Sequence, residues 1–262
     1  MRNRIIRSIF ICSMCLLTTV GAFNFVNLIA VNQSINNISR INKATVLFPI
    51  ESFVMISQSM STFEELCDGN GENCLPVPIL RNRISGTGSG VIVGTRDGKS
   101  LVITAGHVCN GTETMIPATE TLSMQYSMEL VSGYGNEAVG TIVSLDLAND
   151  LCLVIASDYL GPPLEVAAEE PILHEKIYTM SSPLGLAAPL AVPVFDGYFV
   201  GEVSTLYIFT VPAAPGSSGS PILNEHSEII SIISAAAVSF DEYAIGCKTS
   251  ALQNFLISAG PL

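Results

Sequence analysis

Gly86-Thr87-Gly88-Ser89-Gly90-Val91-Ile92-Val93 and, shortly after it, Leu101-Val102-Ile103-Thr104-Ala105-Gly106-His107-Val108 share one texture: a β-branched run bounded by small residues. Runs of that length and residue type suit strands better than helices. The second run ends in small side chains and delivers a histidine at the strand end. The texture recurs on both sides. From Ala44 onward, Phe53–Ile56, Ala138–Leu145, Leu151–Ile155, Lys176–Met180, Tyr207–Val211 and Ile229–Ile233 are runs of the same kind, broken by Gly, Pro, Asn and Asp. No helical pattern of comparable length interleaves them, which disfavours a parallel βαβ sheet. The expected class is all-β, an antiparallel sandwich or a pair of barrels. Ser250–Ser258 (SALQNFLIS) suits a short C-terminal helix.

At 262 residues the chain has room for one large domain or two small ones. Its 11 Lys and Arg stand against 23 Asp and Glu, a net charge of −12 that repels phosphate backbones and argues against nucleic acid as a partner. With 13% charged and 48% apolar residues the chain is not disordered in general. Part of that apolar content lies at the N-terminus. Arg2, Arg4 and Arg7 precede an uncharged stretch from Ser8 to Val31, long enough for an apolar helix spanning a bilayer. Val20-Gly21-Ala22 also supplies small residues where a signal peptidase cuts. Residues 1–31 are therefore read as a signal peptide or an uncleaved membrane anchor, residues 32–43 as a polar stalk, and residues 44–262 as one domain. Either reading of the N-terminus makes the domain extracytoplasmic, secreted or anchored through residues 8–31. Leu184–Val211 and Leu223–Phe240 are apolar on average, but prolines, glycines and acids interrupt them, so both read as buried strands.

Cys12 and Cys15 fall in the N-terminal apolar segment. Cys67 and Cys74 flank a short Gly-rich loop, a spacing that a disulfide can close in an oxidising compartment. Cys109, Cys152 and Cys247 cannot all pair with one another, so at least one is expected to be a buried thiol. Asp68-Gly69-Asn70-Gly71-Glu72 starts like a calcium loop, but Asn73 replaces the turn glycine and Ile79 stands where a bidentate glutamate belongs. His174 and His226 have no Cys or His at ligand spacing, and no metal is expected.

Three local patterns carry chemistry. His107, at the end of a β-branched strand and among small residues, has one imidazole face open and a side chain whose ordinary pKa suits a general base. Asp150 opens the apolar strand Leu151–Ile155, at the rim of a core where its carboxylate could accept from an imidazole N–H; Asp146 is the competing carboxylate. Ala214-Pro215-Gly216-Ser217-Ser218-Gly219-Ser220-Pro221 reads either as a flexible linker or as a tight turn that presents the Ser218 hydroxyl. Only a short remainder follows, too little for a separate tethered domain, which favours the turn. The amides of Gly216 and Ser218 would then point together as an oxyanion hole.

The elements Thr104-Ala105-Gly106-His107, Asp150-Leu151-Cys152-Leu153 and Gly216-Ser217-Ser218-Gly219-Ser220-Pro221, in that order, resemble the trypsin-like serine peptidases. The Gly86–Gly90 run, Lys176-Ile177-Tyr178 with Ser182-Pro183-Leu184-Gly185, and the hairpin Asn224–Ile230 are similar to the bacterial high-temperature-requirement branch rather than to digestive trypsin. The likeness covers roughly Lys43 to Leu262. It implies two packed antiparallel six-stranded β-barrels with His107, Asp150 and Ser218 as catalytic triad, the first two on one barrel and the serine on the other. It further implies a polypeptide substrate and no cofactor. No PDZ domain is expected to follow. Ser217 stands where digestive members have an aspartate that pairs with a new N-terminus, and Ser220 replaces the usual second glycine. By the same likeness Pro212 would sit at the base of the primary pocket, with Ser231, Ile232, Ile233 and Ser234 as its wall and substrate-pairing strand. With no carboxylate there, cleavage after small or medium aliphatic residues is expected.

Two other classes stay open beside the endopeptidase: a catalytically silent, protease-shaped binding or structural protein at a membrane or particle surface, and an esterase using the same triad. An α/β-hydrolase is disfavoured, because Ser220 ends the Gly216–Ser220 pattern where a nucleophile elbow needs glycine and the candidate histidine precedes the serine.

Overall fold

The computed structural model describes residues 48–64, 79–110, 122–237 and 240–261. The apolar N-terminal segment, the stalk and the Cys67/Cys74 loop lie outside the described residues. The two β-branched runs around Ser89 and Ile103 form the hairpin of β2 (Ile79–Arg96) and β3 (Lys99–Ala105). Asp97 and Gly98 join them, both at positive φ, the backbone that a two-residue hairpin loop requires. β1 (Phe53–Glu64), β4 (Leu122–Ser132), β5 (Glu137–Asp146) and β6 (Leu151–Ala156) complete a closed antiparallel barrel in the order β1-β2-β3-β6-β5-β4. Between β3 and β4 lies a single helical turn, α1 (Gly106–Asn110).

A second closed barrel follows from β7 (Lys176–Met180), β8 (Val194–Val203), β9 (Leu206–Phe209), β10 (Pro221–Leu223), β11 (Ile229–Ala237) and β12 (Phe240–Cys247), in the order β10-β11-β12-β9-β8-β7. Closure gives every strand a partner on both sides over at least part of its length. The chain then forms α2 (Thr249–Ser258), which buries Leu252, Phe255 and Leu256 and donates from Thr249 Oγ1 to Ile230 O at 2.7 Å. The expected pair of six-stranded antiparallel barrels with a short C-terminal helix is thus the fold found.

The cores differ in kind. The first is aliphatic, built on Ile56, Ile92, Val102, Met128, Leu130 and Val154. The second gathers Phe199, Tyr207 and Phe209, with ring centroids 4.9 to 6.1 Å apart, against Ile177, Ile222 and Ile233. Strands β4, β8, β10 and β12 fall outside the runs singled out from sequence, β8 lying only within the broader Leu184–Val211 stretch read as buried strand. Polar residues alternate through β4 (LSMQYSMELVS), two acids open β12 (FDEYAIGC), and β10 is only three residues long. A barrel strand needs one apolar face, so a continuous apolar run is a sufficient sign and not a necessary one.

Candidate active site

His107 lies on α1, directly after β3, with its side chain half exposed. Two backbone contacts fix that turn against the start of β6. Gly106 N–H donates to Asp150 O at 2.8 Å, and His107 N–H donates to Asp150 Oδ1 at 2.7 Å. The other carboxylate oxygen, Oδ2, lies 2.8 Å from His107 Nδ1, and Ser218 Oγ lies 2.8 Å from Nε2. A carboxylate only accepts, so Nδ1 carries the proton and Nε2 presents its lone pair to the serine hydroxyl. Asp150 adopts φ 54°, a left-handed conformation that Asp tolerates better than most residues. The competing carboxylate, Asp146, builds the preceding turn instead. It accepts from Ala148 N–H and from the side chain and backbone of Asn149, and the Asn149 side-chain hydrogen bond leads in holding its pKa below the ordinary value.

Cys109 and Cys152 form a disulfide. Each stands two residues beyond a candidate catalytic side chain, so the bond ties the His107 turn to β6, which directly follows Asp150. Cys247 is the buried thiol foreseen among the three, and burial pushes its pKa up to about 11.

Ser218 sits on a turn stitched by its own backbone. Ser217 N–H donates to Ala214 O at 2.8 Å, Ser220 N–H to Ser217 O at 3.0 Å, and Gly219 N–H to Ile233 O at 2.8 Å. Gly216 has φ +95°, and a Cβ there would lie 2.4 Å from Ser182 O, so no other residue fits. The N–H groups of Gly216 and Ser218 meet no acceptor among the described residues. Ser217 is buried, and its hydroxyl accepts from Ala214 N–H at 3.2 Å. Ser220 is also buried, and its Oγ meets no hydrogen-bond partner among the described residues.

An open cavity of about 500 Å³ adjoins Ser218, lined by Leu184, Ala213, Ala214, Ile233, Ala235 and Ala236 among others. Of the five residues expected here, only Ile233 lines it. Pro212 is exposed to solvent, and its neighbour Ala213 faces the cavity. Ser231 and Ile232 are buried in the barrel wall, where β11 pairs with β10 at Ile222↔Ser231 and Pro221↔Ile232. The Ser231 hydroxyl donates to Cys247 O at 2.7 Å, and that of Ser234 to Ile245 O at 3.2 Å. Beyond Ile232, β11 outruns β10 and pairs only with β12, through Ala235↔Ile245 and Ala236↔Ala244. The open strand edge thus lies past Ile233, farther along β11 than sequence reasoning placed it. The available signal was the Ala235-Ala236-Ala237 run, whose small side chains leave room beside a strand.

Residues 88–232 match the family model described as a trypsin-like peptidase domain. The serine protease Do-like HtrA of Bacillus subtilis (strain 168) is 27% identical over 169 residues, covering 62% of this chain. The chain spans only 36% of the length of that relative. Among solved structures, the Rv3671c protease of M. tuberculosis in its active form superposes with a TM-score of 0.58 at 15% identity, covering 86% of this chain and 87% of that one. A serine endoprotease from Yersinia pestis gives a TM-score of 0.55 at 15% identity, covering 82% of this chain and 64% of that one.

Proposed function

Because the chain belongs to the trypsin-like peptidase family, we propose that it is a serine endopeptidase acting on polypeptides outside the cytoplasm, with His107, Asp150 and Ser218 as its triad. The observation that carries this reading is the continuous relay from Asp150 Oδ2 through His107 to Ser218 Oγ, at 2.8 Å in both steps. His107 Nε2 takes the hydroxyl proton as Ser218 Oγ attacks the scissile carbonyl, and later returns it to the leaving amine. Asp150 keeps the imidazole in the required tautomer and offsets the positive charge that forms on it. The oxyanion that develops meets the N–H groups of Gly216 and Ser218. Donors of this kind contribute roughly 2.7–4 kcal/mol each. Water then hydrolyses the acyl-enzyme by the same relay.

The substrate lies as an added strand along the open edge of β11 at residues 234–237. Its residue before the scissile bond enters the cavity walled by Ala213, Ala235, Ala236 and Ile233. The lining is apolar, which favours a small or medium aliphatic side chain over Arg or Lys. Two features support export: the basic and apolar N-terminal sequence, and the Cys109–Cys152 disulfide, which suits an oxidising compartment.

The test is fluorophosphonate labelling of the wild-type chain beside Ser218→Ala and His107→Ala, with the modified peptide mapped by mass spectrometry and hydrolysis followed on a peptide library. Labelling at Ser218, lost in both variants, is expected. Hydrolysis should fall by about 10⁶-fold in Ser218→Ala, the scale found when the nucleophile of a serine peptidase is removed. Absence of labelling in a folded wild type favours the silent binding protein, and turnover of small esters without peptide cleavage favours an esterase.

A further inference from the structure

We propose that Ser89, a residue of the first barrel, is a positioning residue that holds the oxyanion-binding turn of the second barrel in its working conformation. The proposal rests on the serine-peptidase reading and adds what keeps its oxyanion donors aimed. In a trans peptide the C=O and N–H point in opposite directions, so anchoring a carbonyl also aims the N–H of the same plane. Three consecutive planes run from Pro215 to Ser218. Pro215 O accepts from Leu184 N–H at 2.6 Å, which turns Gly216 N–H the opposite way. Ser217 O accepts from Ser220 N–H at 3.0 Å, which does the same for Ser218 N–H. Main-chain donors therefore anchor the two outer planes. The middle plane is anchored at its carbonyl by a side chain, the Ser89 hydroxyl donating to Gly216 O at 2.8 Å.

The N–H of that middle plane donates to Ala214 O at 2.8 Å, within the same turn, so Ser89 is its tie to the rest of the molecule. Gly216 has no Cβ to resist rotation about its backbone bonds, so a swing of the Gly216–Ser217 plane meets little intrinsic opposition. Ser217 has no carboxylate to form an ion pair, and its hydroxyl reaches only Ala214 N–H at 3.2 Å.

Ser89 is built to oppose such a swing. It is fully buried, and its Oγ also accepts from Ser182 N–H at 3.1 Å. With the acceptor side so engaged, the hydroxyl proton is directed at Gly216 O. The Ser89 backbone is itself clamped: its N–H donates to Ser218 O at 2.8 Å, and its carbonyl accepts from Thr104 Oγ1 at 2.7 Å. Against it packs Gly219, at φ +88°, where a Cβ would lie 2.0 Å from Ser89 O. One buried hydroxyl thus joins the first barrel, the segment after β7 and the turn that carries Ser218.

The experiment compares Ser89→Ala with Ser100→Ala in the full chain. Ser100 is equally buried and also loses a hydrogen bond on substitution, because its Oγ accepts from Leu160 N–H at 2.9 Å. Ser89→Cys, close in volume, serves if the alanine variant does not fold. Two quantities are read: kcat and KM on a cleaved peptide, and amide hydrogen exchange at Leu184 and Ser217. The expected result for Ser89→Ala is a fall in kcat of up to about 10²-fold, the scale of a small misplacement at a reacting centre, with KM little changed. Exchange at Leu184 and Ser217 should quicken in the same variant, and Ser100→Ala should show neither effect. An unchanged kcat in folded Ser89→Ala, or an equal fall in both variants, overturns the proposal. If the wild type cleaves no peptide, the peptidase reading fails by itself, and exchange still decides the role of Ser89: faster exchange confined to its variant upholds the role, and unchanged exchange overturns it.

Discussion

In the first barrel, His107 sits on a helical turn and Asp150 ends the turn that leads into β6, and the two segments are joined by a disulfide and by hydrogen bonds of 2.7 and 2.8 Å. In the second, Ser218 sits on a run of Ala, Pro, Gly and Ser held by hydrogen bonds alone, with Gly216 and Gly219 at positive φ. The contrast follows the work proposed for each half. A proton relay needs two side chains at a constant separation, and a covalent tie between their elements provides that. Oxyanion donors are backbone amides, and they can converge only where the chain turns too sharply for residues with a Cβ. Stiffness in one half is thus built from side-chain bonds, and in the other from the geometry of a few peptide planes.

Changes on each side sharpen or break this contrast. After the loss of Ser218 itself, the largest effect is expected in the first barrel. Asp150→Asn should leave the fold intact and lower kcat for peptide hydrolysis by about 10⁴-fold, because an amide no longer enforces the tautomer; a loss below about tenfold would remove Asp150 from the relay. Next comes Gly216→Ala in the second barrel. Its Cβ would meet Ser182 O at 2.4 Å, so the plane must shift and one of the two proposed oxyanion donors is lost. A fall of about 10²–10³-fold in kcat is expected, with circular dichroism unchanged.

The paired change Cys109→Ala with Cys152→Ala should cost about 2–5 kcal/mol in urea unfolding, since the bond closes a 43-residue separation. If stability is unaltered, the first barrel is not stiffened by this link and the contrast fails. The smallest effect concerns Cys247, in the second barrel. Burial raises its thiol from the ordinary 9.0 to about 11. Below pH 9.0 both folded and unfolded chains keep the proton, and above it the unfolded chain ionises first, so stability falls as pH rises. Cys247→Ala should flatten that alkaline slope, and native Cys247 should resist alkylation near neutral pH.

Much of the molecule was readable without its coordinates. The runs at Gly90–Val93, Leu101–Thr104, Leu151–Ile155 and Lys176–Met180 all lie in strands, because β-branched residues between turn formers have few other uses. The residues that meet at the site were readable too: the patterns around His107, Asp150 and Ser218 are each weak alone, and their order among strands, with the family likeness it carries, singled them out. The open edge of β11 lies later in the chain than the sequence suggested. Ser231–Ser234 is the more strand-like text, yet that strength reflects burial between β10 and β12, and the open edge belongs to the blander alanines beyond it. The partner of Cys109 was not readable either. A disulfide depends on the approach of two Cβ atoms, and Cys109 and Cys152 are neighbours only because β3 pairs with β6.

By itself the sequence determined the strand-rich class, the acidic net charge, and the three side chains of the proposed relay in their order. These are local properties: residue types that fit one backbone conformation, a summed charge, small residues that allow a sharp turn. Tertiary structure decided which carboxylate serves the histidine, with Asp150 turned toward His107 and Asp146 spent on its own turn. It decided which strand edge remains open, and that a serine of the first barrel anchors a glycine carbonyl of the second, 127 residues away. Such relations are hydrogen bonds with definite distances and directions, and those exist only once barrel closure has brought distant segments of the chain together.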